Sequence, residues 1–245
     1  NNGDNSFTEL TGTVLPRSNS SAAWGDYDND GFLDILLSGS PSKIFHNNRN
    51  NSFTEISDIF LASVFMSSAA WGDYDNDGDL DIILTGYNNG ASNYISRIYR
   101  NDTGVFTEID AGLTGVGEAP SVAWGDYNGD NSLDILLTGY TSSGTYVSKI
   151  YKGNPASANA VPSAPANLQA SLTANKVSFS WDKATDSKTA QNGLTYNLYL
   201  GTTAGSVNRK SPMAAVPGGY RRIVQKGRQT NAIAIKNLAA GTYYW

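Results

Sequence analysis

A motif of nineteen residues occurs three times in this chain, and it constrains the fold more than any other feature. The copies read SAAWGDYDNDGFLDILLSG, SAAWGDYDNDGDLDIILTG and SVAWGDYNGDNSLDILLTG, and they begin at Ser21, Ser68 and Ser121. Each copy holds a nine-residue loop with acidic or amide side chains at alternate positions, between two runs of residues that favour strands. The sequence therefore predicts repeated β-hairpins whose loops are rich in oxygen ligands.

The alternate spacing of these side chains suits a hard divalent cation such as Ca²⁺, which takes roughly six to eight oxygen ligands. Loop positions 1, 3, 5 and 9 would supply side-chain oxygens, and position 7 would supply a backbone carbonyl. A glycine at position 6, Gly31 or Gly78, permits the tight curl of the first two loops. The predicted metal ligands are Asp26, Asp28, Asp30, Phe32 and Asp34 in the first loop, Asp73, Asp75, Asp77, Asp79 and Asp81 in the second, and Asp126, Asn128, Asp130, Ser132 and Asp134 in the third.

An EF-hand loop does not fit this pattern, because its twelfth residue is a glutamate and this position is Leu37, Leu84 or Leu137 here. Solvated turns remain the alternative to cation sites, because Asp and Asn favour turns without any ion. Three copies in one register, each with aspartate at position 9, favour cation sites. We expect the third loop to bind most weakly, because Asn128 replaces a carboxylate and Asn131 replaces the glycine.

Charge is distributed unevenly along the chain. Residues 1–161 contain 7 basic and 20 acidic side chains, whereas residues 162–245 contain 10 basic and 2 acidic ones. Twelve of the acidic residues lie in the three loops, where they would repel one another without a cation. We therefore expect up to three structural Ca²⁺ ions. The basic cluster of Arg221, Arg222, Lys226 and Arg228 is expected to be solvated or to face an acidic domain, with an anionic polysaccharide as the alternative partner.

Composition excludes several classes of site. The chain has no cysteine, so disulfides and thiolate metal sites are excluded. No apolar run approaches the roughly 20 residues of a membrane span, so we expect no membrane insertion, and the first residues do not resemble a signal peptide. No nucleic-acid motif, phosphate loop or dinucleotide fingerprint occurs. An extracellular setting is expected, where thiols are scarce and calcium is abundant.

The repeat is longer than the loop. FTEL at Phe7 and FTEI at Phe53 and Phe106 precede the loops, and KIFHN, RIYRN and KIYKG follow them. Each unit thus has four short β segments within about fifty residues, which is typical of propeller blades. We predict an all-β fold: blade repeats over residues 1–153 (approximately 1–47, 48–99 and 100–153), a linker over 154–165 and a β-sandwich over 166–245.

The pattern WGDYDNDGxLDILLTG resembles the FG-GAP/VCBS repeats of integrin-α-like β-propellers over about residues 1–153. The resemblance implies calcium in the hairpin loops, with the ligands at the positions given above. It also implies an adhesion or surface-interaction module of a large secreted or cell-surface bacterial protein. It leaves the ligand open, as either a protein or a surface glycan.

The strand count predicts incomplete closure. The chain opens on an outer strand at Phe7–Leu10, continues through two full units and ends the repeats with three strands of another. Because propellers close with roughly four to eight blades, we expect an excerpt of a longer array, or blades completed by another chain. Self-association through unpaired blade edges is therefore expected, and an isolated 1–153 fragment should associate or fold poorly.

Residues 166–245 resemble a fibronectin type III domain. PANLQASL, KVSFSW, LTYNLYLGT, NAIAIKNL and GTYYW alternate apolar and polar residues as sandwich strands do. Trp181 corresponds to the core tryptophan, and Tyr244 is the candidate for the tyrosine corner. The chain stops at Trp245 inside that strand, so we expect a truncated domain.

No catalytic constellation is apparent, and we expect no enzyme activity. His46 is the only histidine and occupies the strand-end position of Arg100 and Lys152, while Glu118 is a single acid without a partner. Two alternatives to an adhesion module remain open. A carbohydrate-active enzyme or its accessory module would be favoured by unrepeated acidic, basic and aromatic residues converging on one face. A structural stalk or filament subunit would be favoured by ends that pair with neighbouring chains.

Overall fold

A computed structural model describes residues 6–10, 15–16, 21–128, 130, 132–154, 162–174, 176–187, 194–210 and 231–245. Every regular element in these segments is a β-strand, which confirms the all-β prediction. In the described part of the chain no helix is long and apolar enough to span a membrane. The basic cluster at residues 221–228 and most of the predicted linker lie outside the described residues.

The repeat region forms three antiparallel sheets, here called blades 1, 2 and 3, in which strands are neighbours in chain order. The Phe-Thr-Glu segments at Phe53 and Phe106 each close the sheet of the unit before them, so the first two sheets have four strands and the third has three. Blade 1 comprises β1 (Ala22–Gly25), β2 (Asp34–Leu37), β3 (Lys43–Asn47) and β4 (Phe53–Glu55); blade 2 comprises β5 (Phe65–Gly72), β6 (Asp81–Asn88), β7 (Asn93–Asp102) and β8 (Val105–Ile109); blade 3 comprises β9 (Gly117–Gly125), β10 (Asp134–Tyr140) and β11 (Tyr146–Tyr151).

The second strand of each blade is a nearly continuous apolar run, as expected for strands covered on both faces. β2 is buried throughout, and β6 is buried over its first six residues. In β10, by contrast, Leu136 is exposed between the buried Ile135 and Leu137. The described residues therefore cover only one of the two faces of blade 3.

The tryptophan of each repeat after the first packs on a glycine of the preceding blade. A Cβ atom added to Gly25 would lie 2.6 Å from the Trp71 ring, and one added to Gly72 would lie 2.6 Å from the Trp124 ring. The Tyr74 ring stacks on Trp124, with 6.2 Å between centroids and 11° between planes. The main apolar cores of the repeat region thus lie between neighbouring blades, where apolar surface is removed from water.

The face of blade 3 that corresponds to these covered surfaces is open to solvent. Leu36 and Ile83 are 0% exposed in blades 1 and 2, whereas their counterpart Leu136 is 49% exposed. Ile150 and Tyr127 are 63% and 64% exposed, and a Cβ on Gly125 would meet no atom of the described residues within 4 Å. We call the surface formed by Gly125, Tyr127, Leu136 and Ile150 the open face.

The prediction of an outer strand at Phe7–Leu10 is wrong. These residues are exposed and belong to no strand, with Phe7 and Leu10 exposing 78% and 54% of their surface. A strand requires a neighbouring backbone for its hydrogen-bond ladder, and sequence periodicity does not supply one. The third blade keeps the three strands predicted for it, ending at β11.

The C-terminal part contains a three-stranded antiparallel sheet in the order β12 (Ala166–Thr173), β13 (Lys176–Asp182) and β14 (Ala232–Lys236). Residues 194–200 contribute alternating buried side chains to its core, but they form only isolated bridges in the described residues. Trp181 is buried, and its ring lies 5.4 Å from that of Tyr196. The predicted core role of Trp181 is therefore confirmed.

The prediction of Tyr244 as the corner tyrosine is wrong by one residue. The hydroxyl of Tyr243 donates a 2.8 Å hydrogen bond to the carbonyl of Ala239, which is the contact expected of a tyrosine corner. The backbone of Tyr244 pairs with Gly201, and its side chain is half-exposed. Successive side chains of extended backbone point to opposite faces, so a shift of one residue exchanges the inner and outer tyrosine.

Candidate metal centres

The three aspartate loops join the first and second strands of each blade. Gly31 and Gly78 at position 6 have φ of 94° and 98°, as predicted from the tight curl. Asn29 and Asn76 at position 4 also lie in the left-handed region, with φ of 56° and 57°. Asparagine tolerates this conformation better than most residues, so the two asparagines were a further signal of the loop conformation in the sequence.

The aspartate at position 1 closes each loop on itself. In the first loop, the Oδ1 atom of Asp26 accepts a 3.0 Å hydrogen bond from the backbone N–H of Asp30, and its Oδ2 atom accepts a 3.2 Å bond from Gly31. Asp73 repeats both contacts, at 3.0 and 3.2 Å. In the third loop, Asp126 accepts a 3.2 Å bond from Asp130. These bonds bend the loop so that its alternate side chains face one another.

The aspartate at position 9 connects each loop to the third strand of its blade. One carboxylate oxygen accepts the N–H of position 2, at 3.1, 2.9 and 3.0 Å in loops 1 to 3. The other accepts the N–H of a residue at or just beyond the end of the third strand, at 2.8, 2.9 and 2.8 Å. These three aspartates, Asp34, Asp81 and Asp134, are almost fully buried. Their recurrence therefore has an architectural cause in addition to any ion.

The structure brings most of the predicted carboxylates together. In loop 1, Asp26, Asp28 and Asp30 offer ligand atoms within 4.8 Å of one another, and so do Asp28, Asp34 and His46. In loop 2 the corresponding group is Asp73, Asp75 and Asp81, and Asp77 lies outside it. Among the described residues, the third loop forms no such group of carboxylate or imidazole ligands.

The position 7 residues differ in their surroundings. The Phe32 ring is partly exposed, and the guanidinium of Arg49 lies 4.5 Å from its centroid. The carboxylate of Asp79 contacts the end of the blade, because it accepts a 2.7 Å bond from the N–H of Thr103. Ser132 is buried, and its Oγ atom has no hydrogen-bond partner among the described residues. A buried oxygen of this kind is a suitable ligand for a hard cation.

Basic side chains neutralise loops 1 and 3 in part. The guanidinium of Arg49 lies 2.8 Å from Asp30 at position 5 of loop 1, and Lys152 lies 3.2 Å from the equivalent Asp130. In blade 2 the corresponding Arg100 binds Asp102 instead, at 2.7 Å. Loop 2 therefore concentrates the most negative charge, and a cation there would offset the most repulsion.

Burial of these carboxylates makes their charged form costly. Desolvation raises the pKa of Asp34 to about 6, despite two backbone hydrogen bonds that favour the ionised form. In loop 2, desolvation and the neighbouring carboxylates raise the pKa of Asp73 to about 7, and desolvation raises that of Asp81 to about 8. A bound divalent cation would offset this cost. The oxygen-only donor set of loop 2 thus fits Ca²⁺, with Asp73, Asp75 and Asp81 as the residues that would hold it.

His46 is a loop contact that the sequence did not predict. Its Nδ1 atom lies 3.1 Å from Asp28 Oδ2 and 3.5 Å from Asp34 Oδ1. The available signal for this contact was the position of His46 in the repeat. Lys152 occupies the same position in the third repeat, and its ammonium group lies 3.2 Å from Asp130 in the third loop. The His46 side chain therefore contacts the loop, in addition to lying at the end of its strand as predicted.

Two asparagines join the loops of blades 1 and 2. The buried side chain of Asn101 donates a 2.8 Å hydrogen bond to the carbonyl of Tyr27, next to Asp26 in loop 1. The side chain of Asn29 donates a 2.8 Å bond to Asp79 in loop 2. An ion in either loop would therefore stabilise the contact between the blades as well as its own hairpin.

The metal-free protein should be more stable near pH 5 than near pH 8. In the folded chain the pKa values of Asp73 and Asp81 are raised to about 7 and about 8, against roughly 3.9 when unfolded. Protonation therefore favours the fold; this contribution is fully present below about pH 4 and is lost as the pH rises through the folded pKa values. Urea denaturation of metal-stripped protein at the two pH values measures it. Greater stability at pH 8 without metal would contradict the expectation.

Comparison with known families agrees with this geometry. A family model described as an FG-GAP-like repeat matches residues 36–84 and residues 73–137. The matches include the second and third loops and run from β2 to β10, and the first loop precedes them. A search among curated proteins finds no match to this chain. The blade region therefore contains two FG-GAP-like repeats, which confirms that part of the resemblance seen in the sequence.

Proposed function

We propose that this chain is an extracellular, calcium-binding, adhesion-type interaction module of a larger secreted or cell-surface protein, of bacterial origin. FG-GAP repeats are typical of extracellular adhesion modules built from β-propeller blades. The observation that carries the proposal is the repeated hairpin loop, in which carboxylates of alternate positions meet within 4.8 Å. In this role Ca²⁺ is structural: it neutralises the loops and fixes the hairpins, and the ligand binds elsewhere on the blades.

The C-terminal part would act as a fibronectin type III spacer or second binding domain. The order β12-β13-β14 and the hydrogen bond from Tyr243 to Ala239 support that assignment. No catalytic role is proposed. The Nδ1 atom of His46 lies 3.1 Å from Asp28 and 3.5 Å from Asp34, so this side chain belongs to the surroundings of the loop.

Calcium titration of position 3 variants tests the proposal. Asp28→Asn and Asp75→Asn each remove one charge, while the amide oxygen can still accept a backbone bond. The chain itself shows this, because Asn128 accepts a 2.8 Å bond from the N–H of Asp130. Isothermal titration calorimetry should give at least two calcium sites, and each variant should weaken one of them by about tenfold or more. Asp58→Asn, at an exposed aspartate outside the loops, is the matched control. Wild-type protein that takes up no calcium at millimolar concentration would overturn the proposal.

A structural stalk or filament subunit is a second candidate, favoured by the open face. Trp71 and Trp124 each cover a glycine of the preceding blade, whereas Trp24 is 61% exposed and Gly125 is uncovered by the described residues. A second copy could place its Trp24 at Gly125, which would be a head-to-tail contact.

The expected result is concentration-dependent association of the full chain in sedimentation velocity. Ile150→Ser and Trp24→Ser should each shift the protein towards monomer, because they remove apolar surface from the two complementary sides. Leu172→Ser is the control, at a leucine of β12 that is 74% exposed, and it should leave the association unchanged. A wild-type protein that stays monomeric at all concentrations would exclude this candidate.

A further inference from the structure

Four tyrosines form a continuous row at the end of blades 2 and 3 that lies away from the aspartate loops. Their ring centroids follow one another at 5.6 Å (Tyr87 to Tyr94), 6.4 Å (Tyr94 to Tyr140) and 4.9 Å (Tyr140 to Tyr146). Tyr87 and Tyr140 lie at the ends of β6 and β10, and the aspartate loops precede the starts of these strands. The tyrosine row and the calcium loops therefore occupy opposite ends of the blades.

The tyrosine row is built from two repeat positions that blades 2 and 3 share and blade 1 lacks: Tyr87 and Tyr140 occupy the first, and Tyr94 and Tyr146 the second. The corresponding turn of blade 1, between Leu37 and Lys43, reads Ser-Gly-Ser-Pro-Ser and contains no aromatic residue. The tryptophans that pack the blades recur in all three units, so the scaffold does not require an aromatic residue at this end. Blade 1 forms a four-stranded sheet without these tyrosines, so the strand ladder itself does not depend on them.

Its exposure suits a binding surface. Tyr146 is 79% exposed, and the other three rings are half-buried, so each presents part of a face or edge to solvent. Tyrosine combines a rigid apolar ring with a hydroxyl that hydrogen-bonds. A sugar ring has the complementary chemistry, because its C–H groups pack on aromatic rings while its hydroxyls bind polar groups at the rim.

A carboxylate is held against this row by a strained backbone. The hydroxyl of Tyr94 lies 2.9 Å from Glu118 Oε1. Glu118 and Ala119 have φ of 48° and 62°, in the left-handed region, and so does Met66, the equivalent of Ala119 in blade 2, with φ of 43°. Gly117 lies directly under the Tyr94 ring, where a Cβ atom would be 2.2 Å away.

A groove beside Tyr94 adds further polar groups. It has a volume of about 330 Å³, which is within the range of small-molecule sites, and Arg97, Glu108 and Asp110 line it. Arg97 and Glu108 form an ion pair at 2.7 Å, as Lys43 and Glu55 do at the same positions of blade 1. Asp110 and Glu118 add carboxylates beside the tyrosine rings. Carboxylates next to aromatic rings offer acceptors for sugar hydroxyls beside surfaces for sugar C–H groups, and this is the ground for a carbohydrate ligand.

We propose that the tyrosine row, with Glu118 and the groove beside Tyr94, binds a neutral glycan. This deepens the proposed adhesion function and rests on it. The ligand is neutral because the site carries Glu108, Asp110 and Glu118, and because residues 1–161 hold 20 acidic against 7 basic side chains, so an anionic glycan would be repelled. Tyr146 stacks on a sugar ring, and the carboxylates accept hydrogen bonds from its hydroxyls.

Affinity electrophoresis of the full chain tests the proposal, with neutral glucan, mannan, xylan and galactan in the gel and anionic alginate as a comparison. At least one neutral polysaccharide should retard the protein. Tyr146→Ala and Glu118→Gln should each weaken retardation by about tenfold, as expected when one central contact is lost. Tyr244→Ala is the control, because Tyr244 is a half-exposed tyrosine outside the blades. Thermal melting of each variant excludes a loss of fold.

Several outcomes would overturn the proposal. They are retardation by alginate alone, no retardation by any neutral polysaccharide, or an equal loss in Tyr244→Ala. A protein partner that binds through Tyr146 while no glycan does would also overturn it. Calcium stoichiometry is measured on the same samples. Normal calcium binding without glycan binding would refute this inference and leave the proposed calcium module intact.

Discussion

Removal of calcium should lower the melting temperature of the blade region by about 10 °C or more. An ion that binds the folded loops and not the unfolded chain stabilises the fold by about 2.7 kcal/mol per site at 100 times its Kd. Two sites would contribute about twice that, and each kcal/mol corresponds to about 2–4 °C in a chain of this size. Differential scanning calorimetry of the full chain in calcium and in EGTA measures the shift.

The contribution of each loop can be separated within this experiment. Asp75→Asn should reduce the calcium-dependent shift, because it removes a ligand from the loop with the least neutralising basic charge. Asp58→Asn should leave the shift unchanged, and Mg²⁺ at equal ionic strength controls for screening. The transition of the β12–β14 region should not respond to the chelator. Identical melting of the blades with and without calcium would show that the loops are ordinary turns.

Gly72→Ala should destabilise the protein strongly, whereas Gly125→Ala should have almost no effect. Both glycines follow the repeat tryptophan, but the Trp124 ring lies 2.6 Å from a Cβ placed on Gly72, and no atom of the described residues lies within 4 Å of one on Gly125. Overpacking of this kind costs about 1–3 kcal/mol, and here the obstacle is a large ring held between two blades. Urea denaturation in dilute solution, followed by tryptophan fluorescence, measures the difference.

The same comparison contains its own controls. Gly25→Ala should behave like Gly72→Ala, because the Trp71 ring lies 2.6 Å from the added Cβ. All three substitutions lower chain entropy in the unfolded state equally, so only the packing against tryptophan differs between them. Equal stability of the Gly72 and Gly125 variants would mean that the tryptophans do not hold the blades together.

The strands and the loops could be predicted from the amino-acid sequence, because both follow local rules. The four recurring segments of each repeat predicted the blade strands, and alternation of side chains predicted strands that overlap residues 166–173, 176–182 and 232–236. The strands predicted at residues 194–202 and 241–245 form only isolated bridges among the described residues. The spacing of Asp, Asn and Gly predicted loops with positive φ at Gly31 and Gly78. The two FG-GAP-like repeats matched at residues 36–84 and 73–137 confirm the FG-GAP part of the resemblance. Each of these features involves residues close together in the chain, so local chemistry was sufficient to predict it.

The contacts that side chains make across the sheets became known only from the folded chain. The double backbone contact of Asp81, the approach of His46 to Asp28 and the row that ends at Tyr146 join residues that sequence periodicity cannot pair. The lack of a strand at residues 7–10 and the choice of Tyr243 over Tyr244 have the same cause. Which backbone a strand pairs with, and which of its faces is buried, depends on how the sheets assemble. A repeat pattern does not specify these two properties for its first copy or its last copy.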